Sequence, residues 1–477
     1  MCDLHLPFDK NALQYDVLEW AVCDIKKNKP VCVVYAGDVT CDGNLDVYNY
    51  FINKMRSIDI PFYYVPGNSD LRCADSRVEI RKNASQCKNS LNGILIFAVN
   101  DCDGTISDGQ LSALEEAKDD SIVFMHHPIA ALSEKSRENM LKWRESHKNT
   151  VLFYGHNHKS EINADSVSLQ SMDPDKAIGE NPCVTYYDTD TKELRKAYYF
   201  CPVPDDLNQH FGISCYRVAE DIELAVENNL KNIELRPNCL GIDKNMLSEY
   251  IEKWRRSGGE NLSIHLPDIA YKNGEVIADA HLDEYIEMAK YLKADRFTQH
   301  VPVVSVRTVT EDKNALENIC TYLAERINTI EHDIVIGVEN MHMTSADTPD
   351  DNRRFGYIPE ECVEFMELLG SKCRHKVGIN FDIGHARNNM PYSQKYQIST
   401  WFSHLGKYIV GYHIHQVTLK DGVFENHMPI TEVCGHLISY CSFFRCWSEE
   451  RINKAPVVFE MRPDGAYSTT LKTFKRR

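Results

Sequence analysis

Eight apolar runs of strand length, separated by amphipathic helical stretches, occupy the chain beyond residue 211. The runs cover residues 212–215, 232–235, 262–266, 296–301, 334–339, 377–382, 409–414 and 456–461, with helical patterns such as 246–256, 281–292 and 315–330 between them. Eight strands alternating with helices over about 265 residues predict a (β/α)8 barrel. In such a barrel the carboxyl ends of all eight strands open on one mouth, so polar residues placed there converge. Here those ends carry Glu234, His265, His300, Glu339, Asp382 with His385, His413 with His415, and Glu460. Glu425 and His427 follow on the loop after the seventh strand. A single histidine of this kind is more often a core or capping residue than a ligand. So many at one face are not, because crowded carboxylates repel unless cations neutralise them. Carboxylate and imidazole together make a ligand set for a divalent metal.

The amino-terminal part follows a different rule. A helical pattern at 11–27 precedes an apolar run at 30–36 that stops at Gly37-Asp38. A helix at 45–57 precedes a run at 62–65 that stops at Pro66-Gly67-Asn68-Ser69-Asp70. The run 121–125 enters His126-His127-Pro128, and the run 151–154 enters Gly155-His156-Asn157-His158. Each apolar run ends in a Gly, Pro or His cluster, which predicts a layered α/β domain with a site at its strand ends. Short β-like pieces at 166–169, 184–187 and 197–200 read as its closing strands. The stretch 202–208, with Pro202 and Pro204, reads as a linker. The boundaries expected are therefore 1–201, a linker at 202–208, and a barrel at 209–477.

Composition narrows the partners. The chain has 477 residues, enough for two or three domains, and a formal charge of -17. That excludes a broadly basic surface, so contact with nucleic acid needs a local groove or metal-mediated phosphate contact. Seventeen cysteines without a Cys-x-x-Cys pair, and no leader pattern, predict reduced thiols in a cytoplasmic protein. No apolar run reaches membrane-spanning length, so no membrane partner is expected.

The order Asp3-x-His5, Gly37-Asp38, Gly67-Asn68-x-Asp70, His126-His127-Pro128, Gly155-His156-x-His158 resembles the calcineurin-like metallophosphoesterases over about residues 1–200. The resemblance implies two divalent cations (Mn, Fe or Zn) bridged by Asp38. Asp3, His5 and His158 complete one, and Asn68, His126 and His156 the other, while Asp70 orients its neighbours. Where the family usually has a histidine after the asparagine, this chain has Ser69, and a hydroxyl is no acid near neutral pH. The family also has a buried strand before Asp-x-His. Here only Met1 and Cys2 precede it, which predicts either ligands on a frayed end or a start upstream.

The second half resembles the xylose-isomerase-like barrels, and within them the endonuclease IV type. The one-metal set of the sugar isomerases and epimerases corresponds to Glu339, Asp382, His413 and Glu460. The three-metal set adds His265, His300, His385, His427 and an acid, here Glu425. The resemblance implies three cations, Zn or Mn, with His415 and Gln416 departing from the nuclease pattern. The function expected is a bifunctional metal-dependent hydrolase of phosphate esters, with nucleic acid or nucleotides among the substrates. Asp38, Asn68, Ser69, Asp70, Glu339 and Glu460 are the residues expected at the reacting centres. The alternative is a sugar-phosphate phosphatase fused to a sugar isomerase or epimerase. Oligomeric state is not legible.

Overall fold

The computed structural model describes residues 1–163, 166–344, 347–435 and 437–475. It divides into two units, 1–202 with 432–442, and 203–431 with 443–477.

In the first unit, a six-stranded sheet runs in the order Lys88–Leu91, Ile94–Ala98, Ile122–Met125, Val151–Tyr154, Ser166–Ser168, Glu161–Ile162. Alternating side chains on these strands feed two separate cores. Phe97, Val123, Met125, Leu152 and Tyr154 pack with Leu114, Met140 and Trp143 from the helices Asp108–Leu114 and Glu134–Ser146. Ile96, Ala98, Ile122, Phe124 and Phe153 pack instead with Cys2, Ala36 and Val65. Ala36 and Val65 end a parallel pair of strands, Val33–Ala36 and Phe62–Val65. The domain is therefore layered, as its strand-end punctuation predicts. The hairpin Lys88–Leu91/Ile94–Ala98 was not foreseen, because Lys88-Asn89-Ser90 has little strand character. Its turn is Asn92-Gly93, both residues at positive φ, a two-residue turn that suits a twisted hairpin.

The amino terminus is not frayed. Ala36 N–H donates to Met1 O, Asp3 N–H to Gly37 O and Leu6 N–H to Val39 O. On the other side, Met172 and Asp173 N–H donate to Cys2 O and Asp3 O. Hydrogen bonds on both flanks hold Met1 to Leu6 as the buried strand of the domain would be held.

The second unit is a closed barrel of eight parallel strands: Phe211–Cys215, Asn232–Leu235, Asn261–His265, Arg296–His300, Val335–Glu339, Lys376–Asp382, Ile409–Ile414 and Val457–Phe459. Neighbours in sequence are neighbours in space, and the eighth pairs with the first. Two hairpins interrupt the β/α alternation: Ile269–Lys272 with Glu275–Ala278, and Gln416–Lys420 with Val423–Met428.

Residues 203–208 are not a loose connector. They belong to the second unit, where Asp206 accepts from Trp447 Nε1 at 3.0 Å and from Lys454 Nζ at 2.6 Å. Nor is the barrel sequence continuous in the second unit, since 432–442 folds with the first. Among the described residues no disulfide joins any cysteine, and no helix is long and apolar enough to cross a membrane.

Candidate metal centres

In the first unit, Asp3, His5, Asp38 and His158 bring one ligand atom each to within 4.8 Å of one another. Asp38 Oδ2 lies 3.1 Å from His5 Nε2, and its Oδ1 lies 3.5 Å from His126 Nε2. Asn68 Oδ1 lies 2.9 Å from His126 Nε2 and 3.0 Å from His156 Nδ1. Asp38 thus stands between two groups of candidate ligands. Five of these residues, Asp3, His5, Asp38, His156 and His158, adopt positive φ. Non-glycine residues rarely do so, and such strain gathers at functional sites. Two glycines make room for the ligands. A Cβ on Gly67 would come within 2.2 Å of Asp38 Oδ1, and one on Gly155 within 2.7 Å of Asp3 Oδ2.

The charges are strongly coupled. Burial pushes the Asp38 carboxyl up, but His126 and His5 outweigh it and hold it well below the usual carboxylate range. Burial pulls His126 down, while Asp38 and Asp3 raise it to about 9. His156 falls to about 4 through burial and the neighbouring His126 and His127. Buried carboxylates and imidazoles facing one another in this way form a donor set suited to a divalent cation.

Asp70, expected at the reacting centre, bonds the loops around it. Its carboxylate accepts from Val39 N, Thr40 N, Thr40 Oγ1 and Gly67 N, at 2.7–3.1 Å, and so fixes both loops that carry Asp38 and Asn68. Ser69 is fully buried, and its hydroxyl donates to Thr40 O at 2.6 Å. Its backbone N–H serves the site, donating to Asp38 Oδ1 at 2.8 Å. His127, which clusters with His126 and His156, escaped the sequence reading, and so did two acids. Asp101 accepts from the N–H of His126 and of His127, both at 2.8 Å. Asp173 places Oδ2 3.3 Å from His5 Nδ1. Both follow a strand after a short gap, a signal too common to single them out.

In the barrel, Glu339, Asp382, His413 and Glu460 form one cluster, and His265, His300 and Glu339 a second that shares Glu339. His413 Nδ1 lies 3.1 Å from Glu339 Oε2 and 2.9 Å from Glu460 Oε2. Both Glu339 oxygens, Asp382 Oδ2, Glu460 Oε2, His265 Nε2 and His413 Nδ1 are buried without a hydrogen-bond partner. Native proteins rarely leave buried polar atoms so, unless something else satisfies them. Atoms that face one another at about 3 Å without hydrogen-bond geometry are placed as ligands of a common cation would be.

The remaining nitrogen of each ring is held. His265 Nδ1 meets Leu266 O at 3.0 Å, His300 Nδ1 meets Asp268 Oδ1 at 2.7 Å, and His385 Nδ1 meets Asn340 O at 3.0 Å. His413 Nε2 meets Glu234 Oε1 at 3.1 Å. Partners of this kind fix the tautomer and orientation of a metal-binding histidine. Glu460 is anchored through Oε1, which accepts from Arg236 Nη2 at 2.7 Å and Tyr216 OH at 2.8 Å. Neither Arg236 nor Tyr216 was foreseen, since each lies just past its strand with no motif around it. Burial raises Glu339, yet His413 and His300 hold it well below the usual range, and His300 rises to about 9 chiefly through Glu339 against the effect of burial.

A third cluster joins His385, His427 and His415. Glu425, expected there, does not join it. Its side chain is 42% exposed and stands 4.0 Å from Lys420 Nζ. The cause is local: the hairpin register slips between Gln416 and Thr418, and His427 takes φ 59°. The slip breaks the alternation that would have put residues 425 and 427 on one face. His415 accepts the His427 N–H through Nδ1 at 2.9 Å and turns Nε2 to within 3.2 Å of Asp382 Oδ1.

Two family models match the chain. Residues 2–160 match the model of the calcineurin-like phosphoesterases, and residues 223–477 that of the xylose isomerase-like TIM barrels. A probable cyclic nucleotide phosphodiesterase of Fibrobacter succinogenes is 29% identical over 112 residues, 22% of this chain and 44% of that protein. One from Xenorhabdus bovienii is 30% identical over 82 residues, 15% and 32% of the two chains. A probable glycerophosphodiester phosphodiesterase of Arcobacter nitrofigilis is 41% identical over 44 residues, 9% and 16%. The chain spans less than half the length of these curated relatives. Among solved structures, a D-tagatose 3-epimerase-like protein aligns at 19% identity and TM-score 0.41, covering 56% of this chain and 96% of its own. A xylose isomerase domain protein from Planctomyces limnophilus aligns at 11% identity and TM-score 0.38, covering 56% and 94%. The chain belongs to the xylose isomerase-like TIM barrel family, with a calcineurin-like phosphoesterase domain ahead of the barrel.

Proposed function

We propose that the first unit is a divalent-metal phosphodiesterase for small phosphodiesters of the nucleotide or glycerol type. The observation that carries this reading is Asp38, whose two oxygens face different imidazole groups, His5 at 3.1 Å and His126 at 3.5 Å. A carboxylate so placed fits between two cations, one with Asp3, His5 and His158, the other with Asn68, His126 and His156. When bound, such a pair polarises a phosphate and lowers the pKa of a coordinated water. The chain's own part is positional. Asp70 and Asp101 hold the loops, and the αL backbone aims the ligands. Ser69 supplies an amide rather than a proton, because its hydroxyl is committed to Thr40 O. Esters whose leaving oxygen must be protonated are then hydrolysed more slowly than activated ones. The test is hydrolysis of bis(p-nitrophenyl) phosphate and of nucleoside and glycerol phosphodiesters by the Mn(II)-loaded full chain. Activity that survives Asp38→Asn would refute the reading.

For the barrel we infer phosphate-ester hydrolysis at a cluster in which Glu339 serves two cations, because Glu339 belongs to two ligand groups. The competing reading is a sugar isomerase or epimerase with one cation on Glu339, Asp382, His413 and Glu460, favoured by the charge of -17. In that reading His265 and His300 are spectators. His300→Ala separates the two, since it removes a cation in the first case and leaves the metal count unchanged in the second.

A further inference from the structure

The segment 432–442 lies in sequence between the seventh and eighth barrel strands, yet folds as part of the first unit. Its described residues pair as the two arms of a hairpin: Gly435 N–H donates to Ile438 O, Tyr440 N–H to Val433 O, and Cys434 pairs with Ser439. Its end meets the loop 171–175. Ser439 N–H donates to Asp175 O at 3.1 Å, and Ser442 Oγ donates to Asp175 Oδ1. Asp175 and Asp173 are bridged by one amide, Gln14 Nε2, at 3.1 and 3.0 Å. Asp175 N–H also donates to Asp173 Oδ1 at 2.9 Å. The other oxygen of Asp173 faces His5 Nδ1 at 3.3 Å, while His5 Nε2 faces Asp38. The same loop grips the ligand strand directly, through Ser171 Oγ and Asp173 N–H on Asp3 O at 2.8 and 3.0 Å. Every side chain in this path, from Ser442 to His5, is at most 2% exposed.

We propose that the 432–442 hairpin is a positioning element of the phosphoesterase metal centre, acting through Ser442, Asp175, Gln14 and Asp173 on His5. The physical basis is the cost of burying two carboxylates side by side. Asp173 and Asp175 can share one buried pocket only while their lone pairs are satisfied, and each donor fixes the rotamer of the next group. A carboxylate on the distal nitrogen of a ligating histidine sets its tautomer and raises its basicity. Removing Ser442 loosens Asp175, then Gln14, then the oxygen that faces His5. The phosphoesterase site is thus completed by a piece of sequence that the barrel carries.

The proposal rests on the reading that His5 holds a cation, and the experiment separates the two. Mn(II) is titrated into the metal-stripped full chain, with bound metal followed by electron paramagnetic resonance. His5→Ala first identifies the equivalents that belong to this site. Asp173→Asn, close in shape, is expected to weaken Mn(II) binding there by about 10–100-fold. Ser442→Ala shifts it the same way by about 3–10-fold, and Ser442→Thr, which keeps the hydroxyl, restores it. Unchanged affinity in both Asp173→Asn and Ser442→Ala, with the His5→Ala loss intact, overturns the proposal. No loss in His5→Ala overturns the metal assignment beneath it.

Discussion

Asp38 has to be left-handed, buried and charged at once, and each requirement costs stability. Its φ of 56° is tolerated better by Asp and Asn than by most residues. Asp38→Asn therefore keeps the backbone and removes a buried charge, so the fold survives while the shared carboxylate is lost. We expect phosphodiesterase activity to fall at least about 100-fold, more than loss of a group that only orients a ligand. Circular dichroism and thermal unfolding of the variant check the first half of this expectation, and turnover the second. Ser69→Ala is the contrasting case. It deletes one buried hydrogen bond to Thr40 O and costs about 1 kcal/mol of stability. Turnover of activated diesters should stay within about 3-fold, since 10²-fold or more is the mark of a general acid. A large loss in kcat would mean that the hydroxyl reaches the substrate after all.

Strand ends were legible because each ligand sits directly after an apolar run, as in Val377–Asp382 followed by His385. What lay between elements was not. Glu425 and His427 are two residues apart on one strand, which in a regular hairpin puts them on one face. Only the register slip and the positive φ of His427 separate them, and no residue type in the hairpin announces either. Glu425→Ala should accordingly leave the metal content of the full chain unchanged, whereas His427→Ala, which removes a member of the third cluster, lowers it. Elemental analysis of dialysed protein gives the comparison directly. Asp101, Asp173 and Arg236 were missed for a related reason: each bears on a ligand from outside the cluster, at its backbone amide, its ring or its carboxylate, and nothing local marks such a residue. Glu234 was visible as a strand-end acid, but its task, holding His413 Nε2 at 3.1 Å, is a matter of packing across the barrel. Glu234→Gln is predicted to weaken barrel metal affinity by about 10–100-fold without unfolding the chain. An unaltered affinity would make Glu234 part of the core only.

The chain reads as two domains in tandem, and both folds are present, but the tandem order does not run unbroken. It breaks at 432–442, which no composition shift distinguishes from a barrel loop, because its placement depends on contacts with residues some 250 positions earlier. Residues 1–201 expressed alone lack that hairpin and leave Asp175 without Ser442. They should unfold at a midpoint lower than the first transition of the full chain by about 5 °C or more. Equal midpoints would show that the hairpin contributes little. The chemistry proposed for the first unit depends most of all on Asp38 being shared by two cations. Anomalous diffraction at the Mn edge from metal-replete crystals of the full chain tests it without reference to any substrate. Two peaks roughly 3.5–4 Å apart are expected, one on each side of Asp38. A single peak, or none, beside Asp38 would contradict it.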